Sequence, residues 1–170
     1  MTENTVANNI TTEDKKYETI SASLAELEEA VVLMTELFDR GSVRSERYGD
    51  MSIEKLSQVA TCLTALYSTA TMLWGEARGT VQKKELVRKY YDNSKYTKIK
   101  QKYAETGTKA TQKDIESLVA INNKDHIMEE IRWNDLYSRL GAVRDIFETQ
   151  LKSTDMIWRM KRVEMGLGQY

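Results

Sequence analysis

The chain has 170 residues, 30% of them charged, with a formal net charge of −1 and a single cysteine. That length bounds it to one domain, or one domain with an extension, and no run of about 18 apolar residues is present to cross a membrane. Cys62, alone, excludes an internal disulfide and fits a reducing compartment.

Proline is absent and glycine is scarce, so nothing forces a break inside a helix. The opening MTENTVANNITTEDKK has no apolar stretch behind a basic head and does not read as a secretory signal. Its first thirteen residues are polar and aperiodic, the pattern of a disordered tail. From Tyr17 the spacing becomes regular. Tyr17, Ile20, Leu24, Leu27, Val31, Met34 and Phe38 recur at intervals of three and four, an apolar seam with the bundle or coiled-coil period. Gly41 is placed to cap that helix and Gly49 to turn the chain.

Ser52 reads as the N-cap of a second helix, with Glu54 in its first turn. Leu56, Val59, Leu63, Leu66, Ala70 and Leu73 continue at helical spacing, and the helix is expected to reach about Asp92. Gly75 and Gly79, four residues apart, predict a bend or a close helix contact. Cys62 lies along this stripe and reads as a small buried filler. In the segment 95–103, Tyr96, Ile99 and Tyr103 fit a helix while Lys98, Lys100 and Lys102 alternate as in a strand, so a short helix followed by the loop ETGTKA is expected.

Thr111 with Asp114 three positions on resembles a capping box, opening a short helix to about Asn122. A last helix is expected from about Asp125 to about Val163. Its seam is Trp133, Leu136, Leu140, Val143, Phe147, Leu151 and Trp158, with Thr154 as a polar exception and Gly166 as the stop. The predicted fold class is all-α, with long antiparallel helices, coiled-coil-like seams and self-association along the C-terminal seam. The organisation read from the sequence is a tail (1–13), a helical hairpin (14–79), a basic connector (80–124) and a C-terminal oligomerisation helix (125–170).

The sequence offers little to a catalyst. His126 is the only histidine, which excludes a zinc site or a paired Glu-x-x-His metal site. No phosphate-cradling glycine pattern occurs, and the neighbouring acids Glu28–Glu29 and Glu129–Glu130 read as solvated faces. No catalytic residue, metal or cofactor is expected.

Charge is instead sorted along the chain. Between Arg78 and Lys113 there are eleven basic and three acidic residues, a net +8, so the remainder carries −9. Lysines interleaved with tyrosines suit single-stranded nucleic acid: cations neutralise phosphates and release counterions, and rings stack on unpaired bases. The candidate contacts are Lys83, Lys84, Arg88, Lys89, Tyr90, Tyr91, Lys95, Tyr96, Lys98, Lys100, Lys102 and Tyr103. The competing reading is a helical scaffold or adaptor, such as an assembly factor or protein inhibitor, whose seams bind a partner helix and whose basic run is a solvated face.

KKELVRKYYDN (83–93) resembles the basic helix with a terminal Tyr-Tyr pair found in the UvsY-type recombination mediators of tailed phages. A polar Lys/Tyr connector, a Thr-capped turn and a Trp-bearing helix follow in the same order. The ending MKRVEMG (160–166) is similar to that family's Met-basic-x-x-Glu-x-Gly close. The likeness spans roughly 80–166. Glu85 and Val87 stand in register with the family's Lys-x-Arg pair. The resemblance implies a non-enzymatic accessory that binds single-stranded DNA and assembles as a ring through its C-terminal helices. It would help a recombinase displace single-strand-binding protein, in the cytoplasm of a host cell.

Overall fold

The computed structural model describes residues 3–38 and 51–166, with residues 3–11 and Phe38 described by backbone alone. The described residues are almost wholly helical: α1 (Glu3–Phe38), α2 (Ile53–Thr106), α3 (Gln112–Asn122) and α4 (Lys124–Glu164). None of the four is long and apolar enough to cross a membrane. The segment Arg40–Asp50, with the expected cap Gly41 and turn Gly49, lies outside the described residues.

α1 begins at Glu3, so residues 3–13 are helical where the sequence reads as a tail. A helix already nucleated gains a hydrogen bond for each residue it adds, and no proline or glycine stands before Gly41 to stop it. α2 starts as expected: the Lys55 amide donates to Ser52 Oγ at 3.2 Å, and the Leu56 amide to the Ser52 carbonyl at 3.0 Å. It then continues without a break through Gly75, Gly79 and the segment 95–103. Threonines that would weaken it are accommodated locally. The hydroxyls of Thr61, Thr64, Thr69, Thr80, Thr97 and Thr106 each donate to the carbonyl four residues back. The helix ends where Gly107 takes φ +65° and its amide turns back to the Ala104 carbonyl, the left-handed stop that glycine makes cheaply. At the end of α4, Gly166 does the same with φ +70°.

Two compact units divide the chain: Met1–Trp74 with Ser138–Tyr170, and Gly75–Tyr137. In the first, Ile20, Leu24 and Leu27 of α1, Leu56, Leu63, Ala70 and Leu73 of α2, and Leu140, Val143 and Phe147 of α4 are buried, with Met51 beside them in the chain. Cross-helix contacts give the direction of each element. Glu28 accepts from Arg139 and Thr35 meets Gln150, so here α1 and α4 run the same way. The Met51 carbonyl accepts from Lys161, while Trp74 lies against Gly141 and Arg144, so α2 runs against α4.

Among the described glycines, Gly141 is the one with a packing role. A methyl group on it would meet the Trp74 indole nitrogen at 3.3 Å, whereas one on Gly75 or Gly79 would meet nothing within 4 Å. Of the two readings of the Gly75–Gly79 pair, the close approach is not found there; the close approach at Gly141 on α4 was not foreseen. Arg144 lies 4.3 Å from the Trp74 ring centroid and holds it by cation–π attraction. Cys62 is exposed, not a core filler. It precedes Leu63 on the buried line Leu56–Leu63–Ala70 and so projects about 100° away from it.

The second unit contains the far part of α2, all of α3 and the start of α4. Its buried side chains are Ala77, Ile115, Val119, Trp133 and Leu136, together with one polar residue, Asn123. α3 opens on the predicted capping box. The Asp114 amide donates to Thr111 Oγ1 at 3.2 Å, and the Thr111 amide donates to Asp114 Oδ2 at 2.9 Å.

Candidate nucleic-acid interface

The Arg78–Lys113 segment splits in two once it is folded. Its first half is tied to α4. Lys84 donates to Glu129 and Arg88 to Glu130, while Lys89 pairs with Glu85 one turn back at 2.6 Å. Glu129 and Glu130, which the sequence places on a solvated face, are half-buried partners of the basic helix. Glu130 above all, and then Asp92, hold the Arg88 guanidinium above its ordinary range against the opposing effect of burial.

Arg88 also donates to Asp92 at 3.1 Å, and the buried Asn123 amide donates to the other Asp92 oxygen at 2.6 Å. Asn123 forms the corner between α3 and α4. Its backbone N–H donates to the Val119 carbonyl at 3.0 Å, and its backbone carbonyl accepts from the Ile127 amide at 3.1 Å. The chain Glu130–Arg88–Asp92–Asn123 thus clamps α2 to that corner. A buried amide so placed is costly to leave unpaired.

The second half of the segment is different. Lys95 is half-buried, and Lys98, Lys100 and Lys102 are exposed. None of the four has an ion-pair partner among the described residues. Because the segment is helical, Tyr91, Lys95, Lys98 and Lys102 fall at i, i+4, i+7 and i+11, one continuous stripe. Lys100 stands apart, on the side of Asn93 and Tyr96.

The four candidate rings have different fates. Tyr90 is 71% exposed and meets the Tyr91 ring edge-on, with centroids 5.9 Å apart, which leaves most of its surface to solvent. Tyr91 is 40% exposed and lies nearly parallel to His126, with ring centroids 4.5 Å apart and planes at 18°. Tyr96 and Tyr103 are half-buried with Ile99 between them. That apolar stripe is what carries α2 through a segment whose lysines alternate as in a strand. Lys83 is exposed and has an interaction of its own.

The predicted oligomerisation seam packs within the single chain over much of its length. Trp133, Leu136, Leu140, Val143 and Phe147 are buried within the single chain, and Leu151 and Trp158 are half-buried. Their spacing marks a helix that needs a partner, and the buried part finds one inside the chain, Trp133 and Leu136 in the Gly75–Tyr137 unit and Leu140, Val143 and Phe147 in the other. Exposed apolar side chains on α4 lie elsewhere, with Met156, Met160 and Val163 spaced i, i+4 and i+7.

An open groove of about 280 Å³ lies between α2 and α3, with Asp92, Asn93 and Tyr96 on one wall and Glu116 and Val119 on the other. The sequence reading misses this groove, along with Asp92, Asn123, Glu129 and Glu130. The one signal available was opposite charge in two helical segments, KKELVRK and MEEIR, with no indication that they meet. Among the described residues no group of three His, Cys, Asp or Glu could hold a metal ion. No family model, curated protein or solved structure matches the chain.

Proposed function

We propose that the protein binds single-stranded DNA through the far half of α2 and acts without catalysis, as the recombination mediator its sequence resembles. What supports this is the division among its cations. Lys84, Arg88 and Lys89 are occupied by Glu129, Glu130 and Glu85, whereas Lys95, Lys98, Lys100 and Lys102 face no acid among the described residues. A fold that needed lysines only to balance its own charge would pair them. Unpaired cations in a row, beside an exposed Tyr90, suit a phosphate backbone and a stacked base.

Mobility shifts of a 30-nucleotide oligomer across ~50 to ~200 mM salt test the proposal. Binding should weaken steeply with salt, and replacing Lys95, Lys98 and Lys102 by Ala should make the slope shallower by about 2, given roughly 0.7 per phosphate neutralised on a single strand. No complex at ~50 mM salt would sink the proposal. An unchanged slope in the triple variant would move the site off this stripe.

A different role, a helical scaffold or adaptor, is favoured by the exposed row Met156, Met160 and Val163. The same row is where we place any self-association, since the Trp133–Phe147 seam is used inside the chain. Light-scattering mass with and without the oligomer separates the two. A mediator gains nucleic acid. An adaptor stays indifferent to it and retains a protein partner after nuclease treatment.

A further inference from the structure

We infer that the groove between α2 and α3 seats one unpaired base and prefers cytosine or adenine, through their N4 and N6 amines, over thymine. This rests on the single-strand binding proposed above and adds a specificity to it.

At about 280 Å³ the groove falls just under the ~300 Å³ at which small-molecule sites usually begin, room for one planar heterocycle. Its apolar surfaces are Tyr96, Val119 and Ile127, which suit the face of a ring. Its polar groups are not suited to phosphate. Asp92 and Glu116 contribute two negative charges against the one positive charge of Arg88, and Arg88 is already held by Glu130 and Asp92. Asp92 already accepts from Arg88 on one oxygen and from Asn123 on the other, so Glu116 is the carboxylate best able to accept from a neutral hydrogen-bond donor. Glu116 takes one hydrogen bond on Oε1, from Gln112 at 2.8 Å.

Asn93, exposed beside these acids, has a side-chain amide with no hydrogen-bond partner among the described residues. It can donate and accept at once, as reading a base edge requires. Lys100, two turns beyond Asn93 on the same side of α2, is placed to hold the phosphate of the seated nucleotide. Carboxylates accept from cytosine N4, and asparagine pairs with the adenine edge, whereas thymine offers neither amine.

Fluorescence anisotropy with labelled 20-nucleotide homopolymers of dC, dA and dT, at one fixed salt, tests the inference. The full-length protein should bind dC at least about fivefold more tightly than dT, the lower end of discrimination by a well-placed base contact. Both pyrimidine strands are weakly stacked, so this pair is the cleanest comparison. In Asn93→Ala with Glu116→Ala the dC-to-dT ratio should fall toward one. The ratio is insensitive to the general gain in affinity expected from removing a negative charge, and both residues are exposed, so the fold is spared.

Equal binding of the three homopolymers by the unaltered protein would overturn the base seat while leaving single-strand binding in place. A preference that persists in the double variant would overturn this groove as its source. No binding to any strand would overturn the underlying reading, and the base seat with it.

Discussion

The unit built from α1, the start of α2 and the end of α4 is held by apolar side chains, whereas the Gly75–Tyr137 unit is held in large part by charge. Among the described residues, the first buries ten apolar side chains spaced along three helices, from Ile20 to Phe147. The second has a small core around Ile115, Val119 and Trp133, and adds to it the Glu130–Arg88–Asp92–Asn123 chain and the Lys84–Glu129 pair. A basic helix cannot bury an apolar face as wide as its neighbours do, so acids from α4 dock it instead. Only after those acids are used does the net positive charge of the segment become localised, beyond Asp92.

The largest effect that would sharpen this comparison is Phe147→Ala. Removing a fully buried aromatic ring costs about 3–5 kcal/mol, read as a lowered urea midpoint. A loss below about 1 kcal/mol would mean that the apolar unit is not the stabilising one. Next comes Asn123→Ala, which leaves an Asp92 oxygen without its amide donor and should cost about 1–3 kcal/mol. Faster hydrogen exchange should follow in α3 and in α2 beyond Lys84, with Leu24, Leu63 and Leu140 unaffected. Uniform acceleration through both units would break the distinction between them.

Smaller still is Thr111→Ala, which removes the α3 cap at a typical cost of about 1 kcal/mol. The pH dependence of that cap has a definite sign. The Thr111 hydroxyl and amide hold the Asp114 carboxyl below the usual aspartate range. The contribution is therefore complete above the unfolded-state pKa and is lost as pH falls through the lower folded value. Carboxyl chemical shifts followed by NMR should show Asp114 titrating below the usual aspartate range, and rising toward it in Thr111→Ala. An unchanged Asp114 midpoint in that variant would show that the cap does not set it.

Much of the helical architecture is legible in the sequence because its signals are local. The seam from Tyr17 to Met34, the Ser52 start, the Thr111–Asp114 box and the Gly166 stop are each decided by residues within a few positions of one another. The segment 95–103 is not, because lysine alternation and the Tyr96–Ile99–Tyr103 stripe point to different periods. The helix prevails where those three side chains become half-buried.

The candidate site was legible as a composition and not as a surface. Eleven cations between Arg78 and Lys113 look alike in the sequence, yet Lys84 and Arg88 meet acids about forty residues away while Lys98, Lys100 and Lys102 meet none among the described residues. By itself the sequence determined that this chain is helical, where several helices begin and end, and that positive charge is concentrated in its middle. Periodicity, capping and charge spacing act over a turn or two. Only the tertiary structure decided which apolar seam is core, which acids are partners and which lysines remain available, because each of those depends on what a distant helix brings within a few ångströms.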